Sequence, residues 1–439
     1  MNNQFHKFIK KNNLFSKNDK VLIAVSGGID SIVMLDLFAK TKLEIAIVHC
    51  NFQLRSDESM EDEKFVRSLS KKYKLQFFVK KFDTKKYASS QKISIQMAAR
   101  ELRYNWFEKI RKEICFDYIS IAHNKDDIVE TFFLNLIRGT GIRGLTGINA
   151  KNDKIVRPLL FADRKMIDSY RLENQLPFRE DSSNKSIKYK RNKIRHQILP
   201  LFNELNPAFS DTILENIEKL AATEKIYATA IEDVKNKVIS HSENQIKISL
   251  NELQKHKPYK TFLYELIYKF GFTQENVADI CKSIGYVSGR QFFTKSHRII
   301  IDREFLIITE KKTISYEEFQ INSETKEISE PISLKLGLNP SISSDKIKKN
   351  TEIAYLDFDT LKFPLKIRKW EKGDRFFPLG MKKSKKLSDF FIDQKFSILE
   401  KENQWILTSE DKIVWIIGKR IDNRFKISEK TKKVLIIKS

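Results

Sequence analysis

Six consecutive residues near the start of the chain, Ser26, Gly27, Gly28, Ile29, Asp30 and Ser31, set a carboxylate and two hydroxyls around a pair of glycines. An apolar run, residues 21–25, leads into them, and an amphipathic segment, residues 32–38, leads out. A buried strand ending where a helix begins leaves unpaired N–H groups and roughly half a positive charge aimed at one point. Glycine lets the main chain approach a ligand closely. Such a nest suits the β and γ phosphates of a nucleotide, or pyrophosphate as a leaving group. Two other phosphate loops are excluded by spacing. GxxxxGK followed by Ser or Thr needs a lysine that does not follow Gly28, and the loop at the end of this strand does not read GxGxxG. The structural alternative is a glycine-rich turn with an ordinary aspartate cap. The chain holds only 13 glycines, however, and two adjacent ones fall at this strand end.

Further polar groups recur just beyond other apolar runs. His49, Asn51 and Arg55 follow the second run, residues 43–48, and His123, Asp127 and Glu130 follow the fourth, residues 118–122. Carboxyl ends of strands are where open α/β sheets bind ligands. Asp127 and Glu130, three apart at a helix start, can address one ligand, although a first-turn helix cap would also use them. Arg100 and Arg103 share a helical face by the same spacing. A basic stretch follows, with Lys185, Lys188, Lys190, Arg191, Lys193 and Arg195 around Tyr189. A second runs over residues 366–386, with nine Lys or Arg, including Lys369 and Arg375, among Trp370, Phe376 and Phe377. Cations around an aromatic suit, in the first stretch, an RNA loop whose bases are splayed and stacked; the second stretch would meet the body or a stem of such an RNA, with a solvated basic rim as its competing reading.

The segment from Ser26 to Ser31 resembles the signature of the PP-loop (N-type) ATP pyrophosphatases, which cleave ATP between its α and β phosphates. Residues 49–55, 96–104, 122–131, 138–144, 157–160, 180–184 and 191–196 together resemble the tRNA(Ile)-lysidine synthetase family. That likeness runs almost continuously over residues 20–207. It returns at residues 369–375, 378–380 and 386–391, and is loose over 210–350. Cys50-Asn51 departs from the Asp-His of many members.

The resemblance implies a ligase that adenylates the wobble cytidine of isoleucine tRNA with a CAU anticodon. It then joins L-lysine to that base, releasing pyrophosphate and AMP. It further implies a loop of Ser26, Gly27, Gly28, Ile29, Asp30 and Ser31 for ATP with its Mg2+, and Asp127 and Glu130 for lysine. Asp30, Arg103, Asp127 and Arg195 are then the catalytic group, the arginines offsetting phosphate charge. Lys185, Lys188, Lys190, Arg191, Lys193, Lys369 and Arg375 are the tRNA contacts. A base-thiolating relative is the rival enzyme, but Cys50, Cys115 and Cys281 form no pair. A small-molecule synthetase would leave the charge without a purpose, and an idle RNA-binding protein on the same scaffold would have no use for an intact loop and carboxylate pair.

Elements that would position these groups are legible from periodicity. The first four apolar runs, at 21–25, 43–48, 75–79 and 118–122, each precede a helix-like segment, which implies right-handed βαβ units. The fold class expected is α/β: a parallel Rossmann-like PP-loop sheet domain over residues 1–206, then a mainly helical middle domain and a small α+β C-terminal domain. The middle part, 207–321, begins with a long helix whose Phe209, Ile213, Ile217 and Leu220 share one face. Residues 322–350, rich in Ser, Lys and Glu, read as a linker, and 351–439 as the C-terminal tRNA-binding domain.

Bulk composition agrees with that reading. A net charge of +24 over 439 residues favours polyanionic partners, because each neutralised phosphate releases counterions; a generally lysine-rich composition is the bland alternative. No apolar stretch approaches the ~18 residues of a membrane helix, and the first twenty residues lack a signal-peptide core. Three distant cysteines fit a reducing cytoplasm. No obligate protein partner is expected.

Overall fold

The computed structural model describes residues 1–54, 56–180, 190–242, 244–285, 289–311, 317–340 and 350–439. It divides into two compact units, Met1–Thr229 and Ala230–Ser439.

The first unit is built on a sheet of β1 (Val21–Ala24), β2 (Ile45–Asn51), β3 (Gln76–Lys81), β4 (Tyr118–Ser120), β5 (Lys151–Asn152) and β6 (Ile155–Val156). Strand order is β3-β2-β1-β4-β6-β5. All pairs are parallel except the β5–β6 hairpin. Helices α1 (Asn2–Lys11), α2 (Ile29–Ala39), α3 (Ser56–Lys72), α4 (Thr84–Gln91), α5 (Ile95–Glu113), α6 (Lys125–Arg138) and α7 (Arg164–Glu173) accompany it. β1 shows why the strands read as unbroken apolar runs. Val21 and Ile23 enter one core with Val33, Val66 and Ile167, while Leu22 enters another with Trp106 and Phe107. A parallel strand covered on both faces buries every side chain.

Strand order reverses between β1 and β4, because β1 continues outward to β2 on one side and β4 to β6 on the other. Ligands of doubly wound sheets bind at the carboxyl ends of the strands flanking such a point. The turn after β1 and the segment from Ala122 to Asn124 after β4 therefore face one cleft.

Beyond α7, a short helix α8 (Lys190–Lys193) passes into a π-helical turn, Ile194–Ile198, and then α9 (Leu199–Leu205) and the long α10 (Phe209–Val238). The division between units falls inside α10. Its first part belongs to the first unit. Phe209 stacks on Phe202 at 4.7 Å between ring centres, and Ile217 is buried against Gly147. Apolar contacts along this part of the helix carry the first unit to Thr229.

In the second unit, Val234 and Val238 at the end of α10 share a core with α11 (Leu250–Lys255), α12 (Tyr259–Ile267) and α13 (Gln274–Ser283). Against them lies an antiparallel sheet of β7 (Ile239–Ser242), β8 (Gln245–Ser249), β9 (Gln291–Phe293), β10 (His297–Asp302) and β11 (Phe305–Glu310), in the order β7-β8-β11-β10-β9. The remainder of the chain forms two further antiparallel sheets. One contains β12 (Phe319–Ile321), β16 (Leu365–Lys369), β19 (Trp405–Ser409), β20 (Lys412–Ile416) and β21 (Arg420–Ile421); the other contains β13 (Glu327–Ile328), β14 (Leu334–Asn339), β15 (Ile353–Asp357) and β22 (Val434–Lys438). The strands β17 (Arg375–Phe376) and β18 (Lys385–Lys386) with helices α14 (Leu387–Asp393) and α15 (Ile398–Asn403) complete it.

A linker over 322–350 is contradicted where that segment is described. β14 pairs with β22 along five residues, and Leu334 is fully buried beside Ile437 and Leu356. Period-two alternation of Ile332, Leu334, Leu336 and Leu338 is a strand signal, outvoted in the composition by the surrounding Ser, Lys and Glu.

Candidate functional site

Gly27 takes φ +100°, a left-handed conformation that strains any residue with a Cβ, and sharply turns the chain out of β1. Gly28 then caps α2 with extended backbone. Ser31 ties the turn together. Its buried hydroxyl donates to the Gly28 carbonyl at 2.7 Å and accepts from the amides of Ser26 and Gly27, both at 3.2 Å. Ser31 is therefore spent on holding the loop's shape, and the Ser26 hydroxyl accepts from the Gly28 amide at 3.3 Å. Ile29 buries its side chain in the core, so what it can present is its amide. With those of Asp30 and Ser31, that amide lies in the first helical turn, where no intrahelical acceptor exists.

Asp30 joins the two sides of the cleft. Asn124, after β4, donates from Nδ2 to Asp30 Oδ1 at 3.1 Å, and Arg164 at the start of α7 lies 3.3 Å from Oδ2. Burial pushes the Asp30 carboxyl above its ordinary range; the Arg164 guanidinium pulls the other way, and the charge of Asp127 adds to the rise. Asn124 also caps α6 reciprocally with Asp127: Asp127 N donates to Asn124 Oδ1 at 3.1 Å, and Asn124 N to Asp127 Oδ2 at 3.0 Å. One asparagine thus fixes both acids, since its amide group reaches Asp30 and its carbonyl reaches Asp127. Asn124 was not singled out as a site residue in the sequence. Its signal was the capping box, a cap residue followed three positions later by an acid. Arg164 carried no signal.

Asp127 does act as a helix cap, yet its second oxygen remains available. Arg191 Nη2 donates to Asp127 Oδ1 at 2.6 Å, and Arg191 Nε to Glu130 Oε2 at 2.5 Å. Arg195 Nε donates to the other Glu130 oxygen at 2.5 Å, with its Nη2 3.8 Å from Asp127. Glu130 is fully buried, whereas both guanidinium groups remain about a third exposed, at 37% and 36%. A buried carboxylate with both oxygens taken by cations is a cation-binding site in its own right. The π-helical turn that carries Arg195 is pinned by buried Ile194, and such turns concentrate at functional positions.

Other expected residues fall elsewhere. Arg103, on α5, lies with its guanidinium 5.2 Å above the Phe52 ring, within electrostatic reach of His123. His49 is buried and bonds to the Val25 carbonyl at 2.8 Å through Nδ1; burial lowers its pKa, so it braces the end of β1. Asn51 donates to Glu63 at 3.0 Å and to the Ser59 carbonyl at 3.1 Å, fixing the start of α3. Burial drives the Cys50 thiol up to about 12, so it is not a ready nucleophile.

Of the expected tRNA contacts, Lys185 and Lys188, with Tyr189, lie outside the described residues. Lys190 and Lys193 flank Arg191 on α8, and Arg191 is engaged by the acids as above. In the C-terminal region Lys369 Nζ donates to the Asn403 carbonyl at 2.7 Å and sits 3.9 Å above the Trp405 ring, with burial lowering its pKa to about 8. Arg375 is exposed and reaches Ser384. The aromatic residues beside them serve the fold: Phe376 is fully buried, and Trp370 donates to the Lys401 carbonyl at 2.6 Å while packing on Phe391. Arg368, Lys366 and Lys385 are paired with Asp374, Glu318 and Asp393.

Comparison with known proteins gives three matches to family profiles: a PP-loop domain over residues 1–202, a TilS substrate binding domain over 241–311 and a TilS substrate C-terminal domain over 365–437. A tRNA(Ile)-lysidine synthase of Parabacteroides distasonis is 41% identical over 430 residues, covering 98% of both chains. Another, of Bacteroides thetaiotaomicron, is 40% identical with the same coverage. A solved U34-tRNA thiolase of Methanococcus maripaludis is 18% identical with a TM-score of 0.42, covering 50% of this chain and 77% of its own. With that identity sustained from end to end, the chain belongs to the tRNA(Ile)-lysidine synthase family.

Proposed function

We propose that this chain uses ATP to join L-lysine to C2 of the wobble cytidine in isoleucine tRNA bearing a CAU anticodon. The first step is attack of the cytosine O2 on the α-phosphorus of ATP; the bond to the β-phosphate breaks and pyrophosphate leaves. In the second, the ε-nitrogen of lysine attacks C2 and gives up its proton; the C2–O bond breaks and AMP departs with that oxygen. Activation is needed because a cytosine carbonyl oxygen is a poor leaving group and AMP a good one.

The observation that carries this reading is the carboxylate pair Asp127 and Glu130, one residue-link away from the nucleotide loop through Asn124. Their oxygens already hold cationic nitrogens at 2.5–2.6 Å, and the ammonium of free lysine is a cation of the same hydrogen-bonding kind. First-turn amides of Ile29, Asp30 and Ser31 would receive the phosphates. Arg195, within electrostatic reach of Asp30, would offset the charge of the leaving pyrophosphate, and Arg103 would do so from α5. Mg2+ enters as part of the nucleotide substrate, with Asp30 the loop carboxylate able to meet it. Among the described residues no group of three His, Cys, Asp or Glu is arranged to hold a resident metal.

RNA would be held by Lys190, Lys193, Arg375 and Lys369, together with Lys185 and Lys188. We assign residues 1–206 to catalysis and 207–321 and 351–439 to tRNA binding. Among the described residues no helix is long and apolar enough to cross a membrane, and we assign the enzyme to the cytoplasm, where its substrates are. Thiolation of a base is disfavoured by the state of Cys50 and by three cysteines that share no site.

Incubation with labelled lysine, ATP and CAU-anticodon tRNA tests the proposal. Label is expected in RNA only when ATP is present, with AMP and pyrophosphate formed in equal amounts. Incorporation without ATP, ADP as product, or label in a transcript lacking the wobble cytidine would each overturn it.

A further inference from the structure

Beside the acids, in the same cleft, sits a histidine with one nitrogen already committed. His123 lies three residues past the end of β4, between Ala122 and the Asn124 that fixes Asp30 and Asp127. Arg157, after β6, donates from Nε to His123 Nδ1 at 3.0 Å. Arg157 is itself 7% exposed and anchored twice more, by Nη1 to the Asn149 carbonyl at 2.8 Å and by its own amide to the Ala150 carbonyl at 2.8 Å. The Tyr104 hydroxyl of α5 is a further partner. A guanidinium has donors and no acceptor. The ring nitrogen facing it must therefore be bare, and the proton of the neutral imidazole must reside on Nε2.

Charges around the ring act in the same direction. Arg157 faces it from the segment after β6, Arg100 and Arg103 from α5, and Arg191 from α8. Burial and these four cations hold the ring far below its ordinary pKa, at about 3. An imidazole in this setting neither accepts a proton at Nδ1, where the guanidinium sits, nor becomes a cation. What it can offer the cleft is an Nε2–H.

Resting on the reaction proposed above, we infer that His123 acts as a permanently neutral hydrogen-bond donor to an acceptor oxygen of the reacting nucleotides, and that Arg157 is the positioning residue that fixes its tautomer. A general base for the lysine amine is the role this geometry rules out. The value of a neutral donor is that it stabilises oxyanion character without surrendering its proton.

The test uses the full-length enzyme with ring-15N histidine. Among the seven histidines, the resonance lost in His123→Gln is expected to report a protonated Nε2 and a bare Nδ1, unchanged between pH 5.5 and 8. A protonated Nδ1, or titration near pH 6.5, would overturn the inference. Kinetically, His123→Ala is expected to lower kcat at least about a hundredfold, and His123→Gln, whose amide N–H replaces Nε2–H, to recover to within about tenfold of the parent. Equal loss in both would mark a proton acceptor and refute the donor role. A rise in KM for ATP would place the acceptor oxygen on phosphate; a fall in kcat alone would place it on the base. Arg157→Met is expected to give a mixture of ring tautomers and a lower kcat, with Arg157→Lys restoring part of both; a drop in Tm with the tautomer unmoved would mean that Arg157 only supports the fold. Should Arg157→Met fail to fold, the parent's ring resonances and the Gln/Ala pair still decide. A parent enzyme that makes no lysidine defeats the functional reading, whereas an active parent with the wrong tautomer defeats this inference alone.

Discussion

Replacing Glu130 by Gln keeps shape and removes one charge, so its consequences can be worked from the distances. In the parent, the two oxygens accept from Arg191 and Arg195, each at 2.5 Å. Glutamine retains one acceptor and turns an NH2 toward the other guanidinium, donor facing donor. Hydrogen bonds to charged groups contribute about 1.5–3 kcal/mol each. Water can replace part of that here, because both guanidinium groups are about a third exposed, so the net loss of stability should be about 1–3 kcal/mol. At about 2–4 °C per kcal/mol, Tm should fall by roughly 2–12 °C. Lysine binding should suffer separately. Loss of one charge-assisted contact to its ammonium raises KM for lysine by about 10- to 150-fold, while pyrophosphate release from ATP and tRNA continues. The assay is lysine incorporation as a function of lysine concentration, run beside pyrophosphate release at fixed ATP. If KM for lysine stays within about twofold of the parent while KM for ATP rises, the acids serve the nucleotide, and the assignment of Asp127 and Glu130 is wrong.

Two other perturbations examine different parts of the site. Burial raises the Asp30 pKa above its ordinary value, so the folded state holds that proton more tightly than the unfolded chain and loses stability as pH rises through the raised value. Asp30→Asn should therefore abolish lysidine formation yet leave Tm at pH 7 equal to or above the parent's, with any gain shrinking as the pH is lowered toward 4; a Tm deficit that is constant with pH would show the carboxylate to be a net structural asset. Gly147 sits at φ +72°, and an added Cβ would lie 2.8 Å from Ile128 and 2.9 Å from Ile217. Gly147→Ala should destabilise the first unit by about 1–3 kcal/mol, read as a shift in the urea midpoint, and an unchanged midpoint would mean that α10 does not pack there as described.

Much of the first unit was legible because its strands are buried on both faces and its loop needs glycine. Residues 21–25 form an unbroken apolar run of strand length, and the paired Gly27 and Gly28 at its end mark a turn that needs glycine's backbone freedom. What stayed hidden was pairing. Arg195 reads as a phosphate clamp and Arg191 as an RNA contact because both lie in a basic run, yet both turn back onto Glu130 and Asp127 across some sixty residues of chain. The cluster over 366–386 reads as an RNA-facing basic segment for the same reason, although Phe376 within it is core and Arg368, Lys366 and Lys385 are paired with acids. Composition reports how many charges a segment carries, and local spacing reports which of them share a face. Neither reports which distant acid will neutralise them, because that depends on where two strands end relative to each other. The error over residues 322–350 has a different origin: a six-residue strand contributes two buried side chains, too few to alter the average of a Ser- and Lys-rich window, although Leu334 and Leu336 alternate as a strand must. A basic segment is thus best read by asking first which buried carboxylates the fold can bring to it. In this chain that question leads to Glu130, whose charge could not remain buried alone and so requires a cation, from the protein or from a substrate, wherever the chain is folded.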